Sequence, residues 1–240
     1  MRRDHRPYYI KKFYLKLQRW YAKYRIKPRL DDLGEGFLMV HPWNIDIFGP
    51  RIFIGKHVNI LTTSDNRVRL TVWPEKETKG RISIGDYCLI CPGVRISSAD
   101  EIIIEDNCML AGGSFITDAD WHGVYNRVGT IGPTAKVHVG ENVWIGDRAT
   151  ICKGVTIGKN SIIGAGSVVT RSIPENVIAA GNPAKPVRKL DPDHPIVKRS
   201  DWFADPKKLA AEIDAIDQEN LRGNSMAHWL RTLIYRTNHD

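Results

Sequence analysis

No apolar run in this chain is long enough to span a bilayer, and its N-terminus lacks the apolar core of a signal peptide. A cytoplasmic location is the expectation that follows. No nucleic-acid recognition motif accompanies the formal net charge of +8. Nucleic acid is therefore not expected as a partner, and an anionic membrane face or an anionic ligand suits that charge equally well. Cysteine is scarce, with four in 240 residues. Cys88-Leu-Ile-Cys91 has the spacing of a redox or metal pair. Charged residues at 26% and apolar ones at 42% give a soluble, globular composition.

What is abundant is one pattern. From Val139 to Val169 the chain reads in sixes, with an aliphatic residue at every first position: Val139, Ile145, Ile151, Ile157, Ile163 and Val169. Glycine follows in Gly140, Gly146, Gly158 and Gly164, and the fifth position is small or aliphatic throughout. A period of six fits neither one helix face nor one alternating strand. It fits short strands joined at regular corners, each unit burying its first side chain against the next. Glycine beside that position lets the backbone turn where a Cβ would be crowded. Cys88 and Cys108 fall at fifth positions, Cys91 and Cys152 at second ones, so the plainer reading of the cysteines is small residues meeting repeat geometry.

The same pattern runs weakly from Ile54-Gly55 to Ile60, then through Ile84, Ile90 and Ile96, and again through Ile104, Leu110 and Ile116. Two insertions interrupt it, 62–80 around Val72-Trp73-Pro74 and 117–138. Insertions in a solenoid leave from corners and gather on the binding face. Residues 1–50 form a first segment, helical and then irregular over 31–50. Residues 51–190 form the repeat domain, and 191–240 a helical extension. Within 8–26, Tyr9, Phe13, Leu17, Trp20 and Tyr24 recur at helical spacing between Lys and Arg. Such a stripe is expected to pack on the body or on a neighbouring subunit. The other reading is peripheral contact with an anionic membrane at its inner face. Helices are predicted over 206–221 and 225–236, and these tails are expected to cap the open end of the solenoid or pack on a neighbour.

The tandem units, the segment Asn142-Val-Trp-Ile-Gly146, the run from Ile163 to Leu190 and a histidine in an extruded loop resemble hexapeptide-repeat acyltransferases. The galactoside and maltose O-acetyltransferases and related polysaccharide acetyltransferases are the group most resembled. The resemblance covers about 82–190 and implies a mainly β fold, a left-handed parallel β-helix with helical extensions. It also implies a homotrimer with sites between subunits, acetyl-CoA as co-substrate with no metal, and a small-molecule or glycan acceptor. Position by position, His122 matches the loop histidine. Trp144, Ala165, Thr170, Arg171, Lys185 and Arg188 match positions near the cofactor, and Asp147 replaces a small residue there.

Acyl transfer from a thioester to a hydroxyl needs a base for the attacking hydroxyl, donors for the oxyanion and a grip on the CoA phosphates. A neutral histidine suits the first task. Asp118 or Asp120 could orient the ring, and backbone N–H groups at a Gly-rich corner could serve the oxyanion. Nothing around a Ser or Cys argues for a covalent intermediate, so direct transfer is expected. N-acetylation of an amino sugar is the near alternative. A metal enzyme like the γ-carbonic anhydrases would need three histidines on neighbouring coils, and the spacings supply no such triad. A non-catalytic trimeric scaffold would not need the loop histidine or the basic tail. His57 and His138 fall within or beside repeat units and are read as structural.

Overall fold

In the computed structural model, residues 4–74, 80–129 and 131–235 are described. Residues 75–79 and 130 of the two insertions, and the last position of the helix expected over 225–236, lie outside them. The described strands stack into three parallel faces of a triangular prism, a left-handed β-helix. The first face holds Asp32–Leu33, Ile52–Ile54, Ile82–Ile84, Ile102–Ile104, Val137–Val139 and Thr156–Ile157. The third holds Ile45–Phe48, Val68–Val72, Arg95–Ser98, Phe115–Thr117, Thr150–Ile151 and Val168–Val169. The second runs from Leu38–Val40 through Asn59–Leu61, Leu89–Ile90, Met109–Leu110, Trp144–Ile145 and Ile162–Ile163 to Val177–Gly181. There Ala184–Lys189 turns back antiparallel and ends the regular coils.

The aliphatic first positions point into the prism. Ile145, Ile151, Ile157, Ile163 and Val169 are all 0% exposed. Burying one such isoleucine contributes roughly 1.5–3 kcal/mol, and the parallel register repeats that contribution at every step. The glycines beside them answer to the next coil. A Cβ on Gly85 would lie 2.7 Å from the backbone nitrogen of Asp106, and one on Gly146 2.7 Å from that of Ala165. Cys88 and Cys108 occupy the interior beneath the first corner, so the 88–91 pair is split between core and corner.

At the corner between the first and second faces, His57, Tyr87, Asn107, Asn142, Asn160 and Asn176 all take positive φ. Asparagine tolerates that conformation better than most residues. Here its amide also joins coil to coil: Asn142 Nδ2 donates to Asn160 Oδ1 at 3.1 Å, and Asn160 Nδ2 to Asn176 Oδ1 at 2.8 Å.

Two sequence expectations need correction. Residues 31–50 are not irregular: Leu33, Met39 and Ile45 are buried and form a first coil paired in register with the second. The segment 62–80 is not wholly an insertion either, because Val68, Leu70 and Val72 alternate inward as a strand of the third face.

The C-terminal segment does not cap the end that it leaves. It runs back along the first corner towards the N-terminal end. Lys198 Nζ meets Glu141 Oε1 at 2.7 Å, the Ser200 amide donates to Asn107 Oδ1 at 2.7 Å, and Arg199 donates to Tyr87 O and Asn59 Oδ1, each at 2.7 Å. Phe203 then packs against His57 and Tyr87, whose rings stack at 5.3 Å. Helices α1 (Tyr8–Tyr21), α3 (Pro206–Asn220) and α4 (Met226–Ile234) follow the expected positions, and a short helix α2 (Arg199–Trp202) that the sequence did not suggest precedes α3. α3 docks on α1, with the Tyr8 hydroxyl donating to Asp214 at 2.7 Å and Lys11 Nζ 2.6 Å from Asp217.

Candidate active site

The second insertion leaves the corner between the third and first faces. Its two ends pair as a short ribbon: Ala119 bridges Thr134, the Asp120 amide donates to Pro133 O, and the Gly132 amide donates back to Asp120 O. Asp118 sits at the root, fully buried, and accepts from Ser98 Oγ at 2.6 Å, from the Ala99 amide at 2.7 Å and from the Asp100 amide at 3.0 Å. Burial pushes its carboxyl above the ordinary range, and these hydrogen bonds oppose the shift. Asp120 is held from the next coil by Lys153, whose Nζ lies 2.7 Å from both carboxylate oxygens.

Neither carboxylate is hydrogen-bonded to the His122 ring, the role that the sequence had offered to one or the other. Asp118 is spent on the coil beneath and Asp120 on Lys153. His122 lies just beyond this clamp, exposed to solvent. The loop tip continues with Val124, Tyr125 and Val128, which are 68%, 101% and 94% exposed. A pinned base below an apolar, uncovered tip is a stable platform for a side chain that must meet something from outside.

Lys153 escaped the sequence reading. Its signal was register, since Ile116 pairs with Ile151 and so places Cys152 and Lys153 directly over the corner where the loop departs. The Cys152 thiol beside it is pushed up by burial, with Lys153 pulling the other way, which argues against a reactive thiolate. Among the described residues no cluster of three or more His, Cys, Asp and Glu could hold a metal. His138 Nε2 instead contacts Glu105 at 2.7 Å.

The residues matched to the cofactor divide into two sets. Trp144, 45% exposed, stands on the outer side of the second face in line with Met109 and Ile162. Asp147 and Ala165 occupy the adjoining corner, where the Gly166 amide donates to Asp147 O at 2.7 Å. Lys185 and Arg188 are exposed on the terminal hairpin, and Arg188 extends the line Trp144–Ile162–Ile178. Thr170 and Arg171 lie at the other corner, above Cys152 and Lys153, on the side of the His122 loop. The third face separates the two sets within one chain.

Two family patterns fit these coils. The one described as bacterial transferase hexapeptide (six repeats) matches residues 136–171, and the one described as hexapeptide repeat of succinyl-transferase matches residues 81–118. Over those residues the chain is similar to the hexapeptide-repeat transferases. Galactoside O-acetyltransferase of Escherichia coli is 37% identical over 110 residues, 46% of this hexapeptide-repeat chain and 45% of its own. A Saccharomyces cerevisiae relative is 42% identical over 110 residues, 45% of this chain and 56% of its own. The chain thus spans about half the length of each. Among solved structures, a mutant of AntD, an N-acyltransferase from Bacillus cereus in complex with dTDP and coenzyme A, superposes with a TM-score of 0.55 at 19% identity. That match covers 84% of this chain and 96% of that one, a likeness of fold.

Proposed function

We propose that this hexapeptide-repeat protein transfers an acetyl group from acetyl-CoA to a hydroxyl of a saccharide or surface glycan precursor, with His122 as general base. The observation that carries the reading is His122 itself. It is a solvent-facing imidazole on a loop whose two ends are hydrogen-bonded and whose neighbouring carboxylate is locked by Lys153. The imidazole nitrogen takes the proton as the acceptor oxygen attacks the thioester carbon. The tetrahedral adduct collapses, the C–S bond breaks, and the imidazolium returns the proton to the CoA sulfur. The E. coli relative, named for O-acetyl transfer to a galactoside, supports the hydroxyl acceptor. AntD, an N-acyltransferase in complex with coenzyme A, supports the cofactor and keeps an amino-sugar acceptor as the second reading.

The division of the site favours a homotrimer. The His122 loop and the Trp144–Arg188 line lie on opposite sides of the third face, so one chain offers the base and another the cofactor track. Closed symmetry would supply both at each of its clefts. The exposed apolar tip, Val124, Tyr125 and Val128, suits burial in such a cleft. The deciding experiment measures free CoA thiol released from acetyl-CoA against sugars, amino sugars and nucleotide sugars. His122→Ala should lower kcat by about 10²–10⁴-fold while acetyl-CoA still binds. A folded His122→Ala enzyme working at the parental rate rejects the reading.

A further inference from the structure

The aromatic stripe of α1 does not pack on its own chain. Tyr9, Phe13, Leu17, Trp20 and Tyr24 are 57%, 66%, 41%, 54% and 54% exposed. The helix is fixed by its opposite side. Gln18 is buried and accepts from the His41 amide, Ala22 and Ile26 enter the core, and Tyr14 and Tyr21 meet the edge of Trp43. At 100° per residue the stripe and this buried side lie across the helix from each other.

The charge that the α1 segment itself carries has one sign, while Asp214 and Asp217 of α3 lie along its flank beside Lys11 and Lys12. No Asp or Glu occurs between residues 5 and 30. Lys11 and Lys12 are engaged by Asp217 and Asp214 of α3. Lys16, Arg19 and Lys23 remain exposed beside the stripe, and the Lys23 ammonium lies 5.4 Å from the centre of the Tyr24 ring. A second helix at the same end repeats the pattern. α4 exposes Met226, Leu230, Leu233 and Ile234, contains no acidic residue, and is tied to the N-terminal segment by His228 to His5 at 3.0 Å and by Asn224 to Asp4 O and Arg6 O.

Contiguous exposed apolar surface marks an interaction site, and the charge selects the partner. A second copy meeting this face with its own would set cation against cation. An anionic bilayer meets every part of it. Tyr and Trp favour the headgroup level, Phe13 and Leu17 reach the acyl boundary, and lysine stems lie along the apolar surface with their ammonium groups outward. No helix among the described residues is long and apolar enough to cross a membrane. α1 is about 21 Å long at 1.5 Å per residue, and the stripe runs along it and on to Tyr24 in the turn Ala22–Ile26, as a line in the plane of a surface.

We propose that α1, with α4 beside it, docks the protein on the surface of an anionic lipid bilayer. The proposal is independent of the acyl-transfer reading, since none of the residues placed in that chemistry lies on this face. The test is co-sedimentation of the full chain with two kinds of vesicle, phosphatidylcholine alone and phosphatidylcholine with about a third phosphatidylglycerol. Binding to the anionic vesicles should be at least about ten-fold tighter. It should weaken as salt rises from about 0.1 M to about 1 M, where the screening length shrinks from ~10 Å to ~3 Å. The double variant Phe13→Ser, Trp20→Ser removes two exposed side chains, so it should fold and assemble as the parent does yet bind about ten-fold more weakly. Three results would overturn the proposal: no sedimentation of the parent, equal sedimentation of the variant, or a variant that changes oligomeric size, which would make the stripe a subunit contact.

Discussion

Lys153 Nζ stands 2.7 Å from both oxygens of Asp120, joining the second insertion to the coil above it. The pair is about one-third exposed on the lysine side, so its worth to global stability is small, on the order of 1 kcal/mol or less. Its worth to the loop is positional. Lys153→Ala should leave the melting temperature nearly unchanged and lower kcat, since a misplacement of about 1 Å at a reacting group can cost about 10²-fold. Lys153→Arg should recover much of the loss. Steady-state kinetics with thermal melts on both variants check this, and an unimpaired Lys153→Ala enzyme would detach the clamp from catalysis.

The root of the same loop should behave differently. Asp118→Ala leaves the Ser98 hydroxyl and the Ala99 and Asp100 amides facing a gap in the interior. One to three unsatisfied donors there should cost about 2–4 kcal/mol, visible as a lower urea midpoint. Burial raises the folded carboxyl of Asp118 above its unfolded value. Its contribution is therefore fully present below about pH 3.9 and declines as pH rises through the folded value. Asp118→Asn should flatten that slope in a stability-against-pH series.

At the far end of the second face, Lys185 and Arg188 should act as charge-assisted donors to CoA phosphates. Replacing both with Gln should raise KM for acetyl-CoA much more than KM for the acceptor. The difference should narrow at high salt, because exposed charges are screened. Unchanged acetyl-CoA binding in the double variant, measured by titration calorimetry, would move the phosphate site elsewhere.

Acid should release α3 from α1. The Tyr8 hydroxyl, then the Lys12 ammonium, holds the Asp214 carboxyl below its ordinary value. A carboxylate lowered in the folded state stabilises above its unfolded value, about 3.9, and that contribution is lost as pH falls through the folded one. Protease cleavage or hydrogen exchange in 206–220 should therefore increase below about pH 4. Asp214→Asn should show part of that increase at neutral pH. An acid-insensitive segment would mean that contacts other than these carboxylate pairs hold it.

The repeats from Ile84 onward were legible because each inward position recurs and each corner glycine answers to the backbone of the next coil. The first coil was legible in principle. Leu33, Met39 and Ile45 keep the same spacing, with Gly34 after the first, but Trp43 and Pro42 at its corner obscured the phase. Val68, Leu70 and Val72 were hidden behind the polar turn at 62–67. His122 stood out because its loop breaks a regular pattern. The roles of Asp118 and Asp120 were not readable, since Ser98 and Lys153 reach them from other coils and spacing along the chain carries no trace of that. The destination of the C-terminal segment was hidden for the same reason: nothing near Arg199 in the sequence names Asn59.

Arg199 joins positions 112 and 140 residues away, and Tyr8 meets Asp214 across 206. A solenoid can grow coil upon coil from contacts between neighbours, whereas this strap closes very long loops and must wait until the coils exist. It is then expected to be a late fastening, made after the folding transition state. Arg199→Ala should leave the refolding rate almost untouched and speed unfolding, the signature of a contact made after the barrier. The strap therefore works as a latch on lifetime, setting how long a finished prism holds together and not how fast it forms.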